Sequence, residues 1–124
     1  MKKISIILFL IFIHSSSYAG NWSKTDEVLF STFTTTMVVD CLQTNYIFTH
    51  DNYKEKNSII RNGVQSIGRG FIPLFFGSCV FGSWWLLDKY PDKGRKFVLI
   101  AFISIKAAVI INNKNKGIGL NFKF

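Results

Sequence analysis

The chain has 124 residues, close to half of them hydrophobic, with 13 Phe and a formal charge of +8. Its apolar residues come in long blocks rather than in alternation, and a water-soluble chain of this size would expose more apolar surface than it could hide, so a small membrane protein is the expected class. The basic excess lies in short segments flanking those blocks, where charge sets topology and meets anionic head groups, so the lipid bilayer is an expected partner and nucleic acid is not.

Residues 1–19 read as a secretory signal. Lys2 and Lys3 form a basic start, Ile4–Ile13 is an apolar run, and Ser17-Tyr18-Ala19 is a small-residue pattern suited to cleavage before Gly20. The alternative is an uncleaved anchor helix, for which the run is short. Export implies a cell with an inner membrane, most simply a Gram-negative bacterium. The expected location is the bacterial inner membrane with the mature N-terminus in the periplasm, and residues 20–124 form one membrane domain.

A first helix is expected over about residues 24–49. Trp22 stands before it as an interfacial aromatic, and Ser23 with Asp26 has capping-box spacing. From Val28 to Phe48 runs a stretch of 21 residues whose one charged side chain is Asp40. On a helix Thr32, Thr36, Asp40, Gln43 and Thr44 share one narrow polar seam, and the remaining surface is mostly apolar. Such a helix wants lipid outside and a polar partner inside.

His50–Gly63 is expected to be a polar connection, with Asn57-Ser58 and Asn62-Gly63 as turn signals. His50 lacks a second ligand nearby, so a solvated interfacial histidine is expected, with no metal and no cofactor. A second helix is expected over residues 64–87, entered through the flexible Gly68-Arg69-Gly70, with Pro73 a cause for a kink near its start. Ser78-x-x-x-Gly82 is a small-x-x-x-small pair open to close helix approach, and Trp84 and Trp85 end the block as an aromatic belt would.

Lys89–Lys96 is a turn, and a third helix is expected over residues 95–112. Lys106 is the single charge within its apolar block, Phe97–Ile111. A lysine there needs a partner or a wet cavity. Ile118, Leu120, Phe122 and Phe124 alternate through the last residues, and residues 113–124 are expected to form an amphipathic interfacial tail. Cys41 and Cys79 fall roughly 8 Å apart in depth at ~1.5 Å per residue, awkward for a disulfide, so two free thiols are expected.

The expected architecture is therefore all-α, a small helical membrane protein with three transmembrane helices after a signal peptide. With the N-terminus outside, the inner side carries Lys54, Lys56, Arg61, Arg69, Lys114, Lys116 and Lys123, and the outer side Lys24, Lys89, Lys93, Arg95 and Lys96. Asp40 then lies about 18 Å from the outer end of its helix and Lys106 about 14 Å from the outer end of its own, at ~1.5 Å per residue. A lysine stem covers the difference, so an Asp40–Lys106 contact is expected, with Thr36, Gln43 and Thr44 supplying further hydrogen bonds.

Asp40-Cys-Leu-Gln43-Thr44-Asn-Tyr46-Ile47, followed by Glu55-Lys-Asn57-Ser58, resembles small uncharacterised membrane proteins of bacteria and their phages. In those an exported N-terminus leads through Trp-x-x-x-Asp, here Trp22 and Asp26, into D-x-x-Q-T-x-Y-I and then E-x-N-P. The resemblance reaches Asn112, Gly117 and Phe124. Two positions depart from it: Cys41 stands in place of an aromatic and Ser58 in place of proline. The resemblance makes Glu55 and Asn57 a loop motif and implies no assigned activity.

No paired carboxylates, metal-ligand cluster or nucleophile–base pair is visible, so no catalytic residue is assigned. The function expected is helix–helix association with itself, as a homo-oligomer, or with another membrane protein. A phage-type role such as lysis timing or exclusion of a second infection follows from the resemblance by analogy. The alternative is an intramembrane enzyme or small transporter using Asp40 as an acid/base or ion-binding group.

Overall fold

The first helix begins where its capping chemistry sits. In the computed structural model, which describes residues 22–124, Ser23 Oγ accepts from the Asp26 amide at 3.2 Å, and Asp26 Oδ2 accepts from the Ser23 amide at 3.0 Å. This reciprocal cap satisfies two orphan donors and starts helix α1, Lys24–Ile47. The signal expected over residues 1–19 lies outside the described residues. Trp22 does not stand free as an anchor. Its ring meets Phe30 edge-on at 5.4 Å, and its Nε1 donates to Asp88 at 2.8 Å.

Residues 58–63 are helical, not part of a polar connection. Glu55 Oε1 accepts from the Asn57 amide at 2.8 Å, and Asn57 Oδ1 accepts from the amides of Ile59 and Ile60 at 3.0 and 3.4 Å. Helix α2, Ser58–Ile67, is thus capped by the loop motif, with Ser58 at its first position. Proline is favoured at that position because the N–H there has no intrahelical partner, so serine leaves the cap intact. Ile60 is buried and Val64, one turn on, is half-buried, which gives this short helix its inward face. Gly63, read as a turn residue, lies inside α2, where a Cβ would overlap the Phe71 ring.

The single helix expected over residues 64–87 is broken. Gly68 takes φ +84°, and its amide donates to the Val64 carbonyl at 2.8 Å, an end that only glycine adopts at no steric cost. Helix α3, Phe71–Leu87, then starts afresh. Pro73 is its third residue, in the first turn, where a missing N–H costs no intrahelical bond, and α3 runs on unbroken to Leu87.

Helix α4, Asp92–Asn115, is longer than expected at both ends. Lys96 Nζ reaches Asp92 at 2.6 Å across one turn, and Gly117 closes the far end with φ +80°. The tail beyond it forms no strand and does not present one apolar face. Ile118 is buried and Phe124 packs on the core, while Leu120 and Phe122 are exposed. The Asn121 amide instead donates to the Leu42 carbonyl of α1 at 3.2 Å.

All four helices of the described residues are α, so the fold is all-α as expected, with one helix more than the three apolar blocks suggested. α1 packs chiefly on α4 and then on α3, while α2 lies against α3. The start of α1 meets the end of α3 and the start of α4, so α1 and α4 run parallel and α3 antiparallel to both. The core joins Phe30, Phe33, Met37 and Cys41 of α1 to Ile72, Phe76 and Val80 of α3 and Leu99 of α4. No helix among the described residues is both long and apolar enough to cross a membrane. α3 is apolar throughout but 17 residues long, and the 24-residue α1 and α4 carry charges along their length.

Candidate functional site: a polar axis between α1 and α4

Two acids of α1, Asp26 and Asp40, turn inward. Asp26 has 0% exposure, and its Oδ2 takes a hydrogen bond from Arg95 Nη1 at 2.9 Å. Arg95, itself buried, also donates from Nε to the Leu87 carbonyl at 3.0 Å and from Nη2 to the Tyr90 carbonyl at 2.9 Å. It therefore holds the carbonyl end of α3 against the amide end of α1, where a cation and an anion respectively suit the helix dipoles. Asp26 Oδ1 is buried without a hydrogen bond, with Lys96 Nζ 3.6 Å away.

Fourteen residues on, Asp40 points the same way, since that spacing is close to four turns at ~3.6 residues each. Lys106 Nζ donates to Asp40 Oδ2 at 2.6 Å, the contact expected from depth. Asp40 keeps 8% of its side chain exposed and Lys106 27%, and Lys106 Nζ also lies 5.5 Å from the Phe76 ring centre. Thr36 and Gln43 of the seam act differently from expectation. Thr36 donates to the Phe33 carbonyl of its own helix at 2.6 Å, so it does not serve Asp40. Gln43 reaches across to α4, donating to the Ile110 carbonyl at 3.2 Å and accepting from Asn113 Nδ2 at 3.1 Å. Thr44 is buried, and beside Asp40 it lines a cavity.

Past Gln43 the axis ends in a knot around Asn45, whose exposure is 0%. Its Nδ2 donates to the carbonyls of Asn121 and Lys123, each at 3.0 Å, and its Oδ1 accepts from Arg69 Nη1 at 3.3 Å. Arg69 Nη1 also donates to the Lys123 carbonyl at 2.8 Å. The tail is thereby tied to α1 and to the α2–α3 break at one point.

Between α1, the loop before α2, α3 and α4 lies a cavity of about 610 Å³ that opens beside the Asp40–Lys106 pair. Glu55 and Asn57, the loop motif, stand on its wall while also capping α2. His50 lies outside it, stacked on Tyr46 at 3.8 Å with Nδ1 2.9 Å from the Tyr46 carbonyl. Cys41 is a buried free thiol and Cys79 a half-buried one. Among the described residues no three His, Cys, Asp or Glu side chains gather to hold a metal.

Sequence reasoning passed over Arg95, Asn45 and Asn113. The spacing carried a signal for the first. Arg95 and Lys106 are eleven residues apart, close to three turns at ~3.6 residues each, so two cations on one face of α4 match two acids on one face of α1. Asn45 had no such signal, because its partners are backbone carbonyls of the tail. No protein-family model, curated protein or solved structure matches the chain, so the reading of this axis rests on its own geometry.

Proposed function

We propose that the chain is a non-enzymatic membrane-embedded protein that acts by association with itself or with another membrane protein. The observation that carries this reading is the distribution of side chains across the bundle surface. Asp26, Asp40, Gln43, Asn45 and Arg95 are buried, while Leu74 (62%), Phe97 (75%) and Ile105 (60%) stand exposed along the outer faces of α3 and α4. A buried polar axis beside apolar outer faces on α3 and α4 suits an apolar solvent on that side of the bundle. Counted one helix at a time, Asp40, Gln43 and Lys106 make α1 and α4 too polar for lipid. Counted as a bundle, those residues face one another, the outer faces of α3 and α4 stay apolar, and the exposed Ser31, Thr32 and Thr35 of α1 mark the side left for a polar partner.

Association is favoured by α3, whose Ser78 and Gly82 are exposed and leave a shallow strip where a second helix could approach closely. The Asp40–Lys106 ion pair supports a structural role for the acid rather than the enzyme or transporter reading, since its charge is already met. We place the protein in the bacterial inner membrane after removal of residues 1–19. Membranes from expressing cells should retain it through an alkaline carbonate wash and release it to detergent, with a mature mass beginning at Gly20. Release into the carbonate supernatant would overturn the membrane reading.

A further inference from the structure

The cavity beside Asp40 and Lys106 combines features that neither a helix contact nor a cap requires. Its volume, about 610 Å³, is that of a small-molecule site, for which ~300–1,000 Å³ is usual. Lys54, Lys56, Lys106 and Lys116 line it, against two acids, Asp40 and Glu55. Asp40 is already neutralised by Lys106, and Glu55 Oε1 is engaged by the Asn57 amide. The remaining field is positive. An ammonium has three donors, and Lys106 gives one to Asp40 while part of its side chain stays open.

Part of the lining, next to Lys106, is apolar. Phe75, Phe76, Ile60 and Val109 form it, and half-buried Phe75 lies next to exposed Leu74 on the outer face of α3. A small hydrophilic anion would gain nothing from that part, whereas a hydrocarbon chain would.

We propose that this cavity binds an anionic amphiphile, with a phosphate head between Lys54, Lys56, Lys106 and Lys116 and its acyl portion along Phe75, Phe76 and Val109. The membrane reading bears only on the source of the ligand, a bilayer lipid rather than a free anion. The cavity itself does not depend on that reading.

The test is native mass spectrometry of the full chain released from micelles holding equal dioleoyl phosphatidic acid and dioleoyl phosphatidylcholine. One phosphatidic acid should be retained with about tenfold preference, the order a charge-assisted contact supplies. Two variants are compared with it: Lys54→Gln/Lys56→Gln/Lys116→Gln, which changes only exposed side chains, and Val109→Trp, which fills the apolar wall and leaves every charge. Both should lose the preference. Equal retention of the two lipids, or undiminished retention in both variants, would refute the site. Displacement of the lipid by millimolar inorganic phosphate would show a free-anion site and overturn the amphiphile assignment. Should the protein prove soluble without detergent, monomeric dihexanoyl phosphatidic acid replaces the long-chain lipid, and the same outcomes decide.

Discussion

At the scale of single residues the axis consists of two acid–base pairs set in series, Asp26 with Arg95 and Asp40 with Lys106. Removing one partner of a buried pair leaves an uncompensated charge, at ~3–5 kcal/mol, and the 27% exposure of the Lys106 side chain puts Asp40→Asn and Lys106→Met at the lower end of that range. Each should lower the steady-state amount of intact protein in the membrane, and the double variant should recover much of the loss. Strictly additive losses would show that the pair carries no coupling. Asp40 and Lys106 were legible because each is the lone charge in an apolar run. Arg95 was legible only through its eleven-residue spacing from Lys106, and it was passed over because a cation in a charged turn looks like any other.

At the scale of elements, what decided the architecture was backbone chemistry at residues that look like punctuation. Asn62-Gly63 has the composition of a turn, yet it lies within α2 because Asn57 caps the helix five residues earlier and Ile60 and Val64 give it a face to bury. The true break is Gly68, which the sequence marked as a flexible entry to the helix rather than as the end of one. Asn57→Ala removes the acceptor for the Ile59 and Ile60 amides and should cost about 1 kcal/mol, read as a lower unfolding temperature with the bundle otherwise intact. Asn57→Asp keeps the acceptor and should restore most of it. Gly63→Ala acts differently, since its new methyl meets the Phe71 ring and pushes α2 from α3. Proteolysis between α2 and α3 should quicken in Gly63→Ala and not in Asn57→Asp. Equal rates would mean that the Phe71 ring simply turns aside.

For the whole molecule, helix directions convert local pairs into an orientation. Because α1 and α4 run parallel and α3 returns, the loop before α2, the Gly68 break and the tail gather at one end, and Asp88–Pro91 lies at the other. The down–up–down order of the three apolar blocks was legible in their spacing, whereas the docking of the tail on Asn45 was not, since it depends on backbone carbonyls without sequence signature. The structure also sharpens the charge count. Arg95 is spent on Asp26 and leaves Lys24, Lys89, Lys93 and Lys96 at the Asp26 end. Lys54, Lys56, Arg61, Arg69, Lys114, Lys116 and Lys123 stand at or near the loop end, which on the proposed membrane reading is the end that the positive-inside rule would assign to the cytoplasm. With Cys41 and Cys79 replaced, Asp92→Cys should react with an impermeant thiol reagent in intact cells, and Asn52→Cys only after permeabilisation. Both positions are exposed, and Asp92 gives up only a surface pair with Lys96, of the kind worth ~0–1 kcal/mol, so neither change disturbs the bundle. Labelling at Asn52 but not at Asp92 would invert the orientation, and it would place the lysine-rich cavity in the outer leaflet, where anionic lipid would have to reach it from the other side.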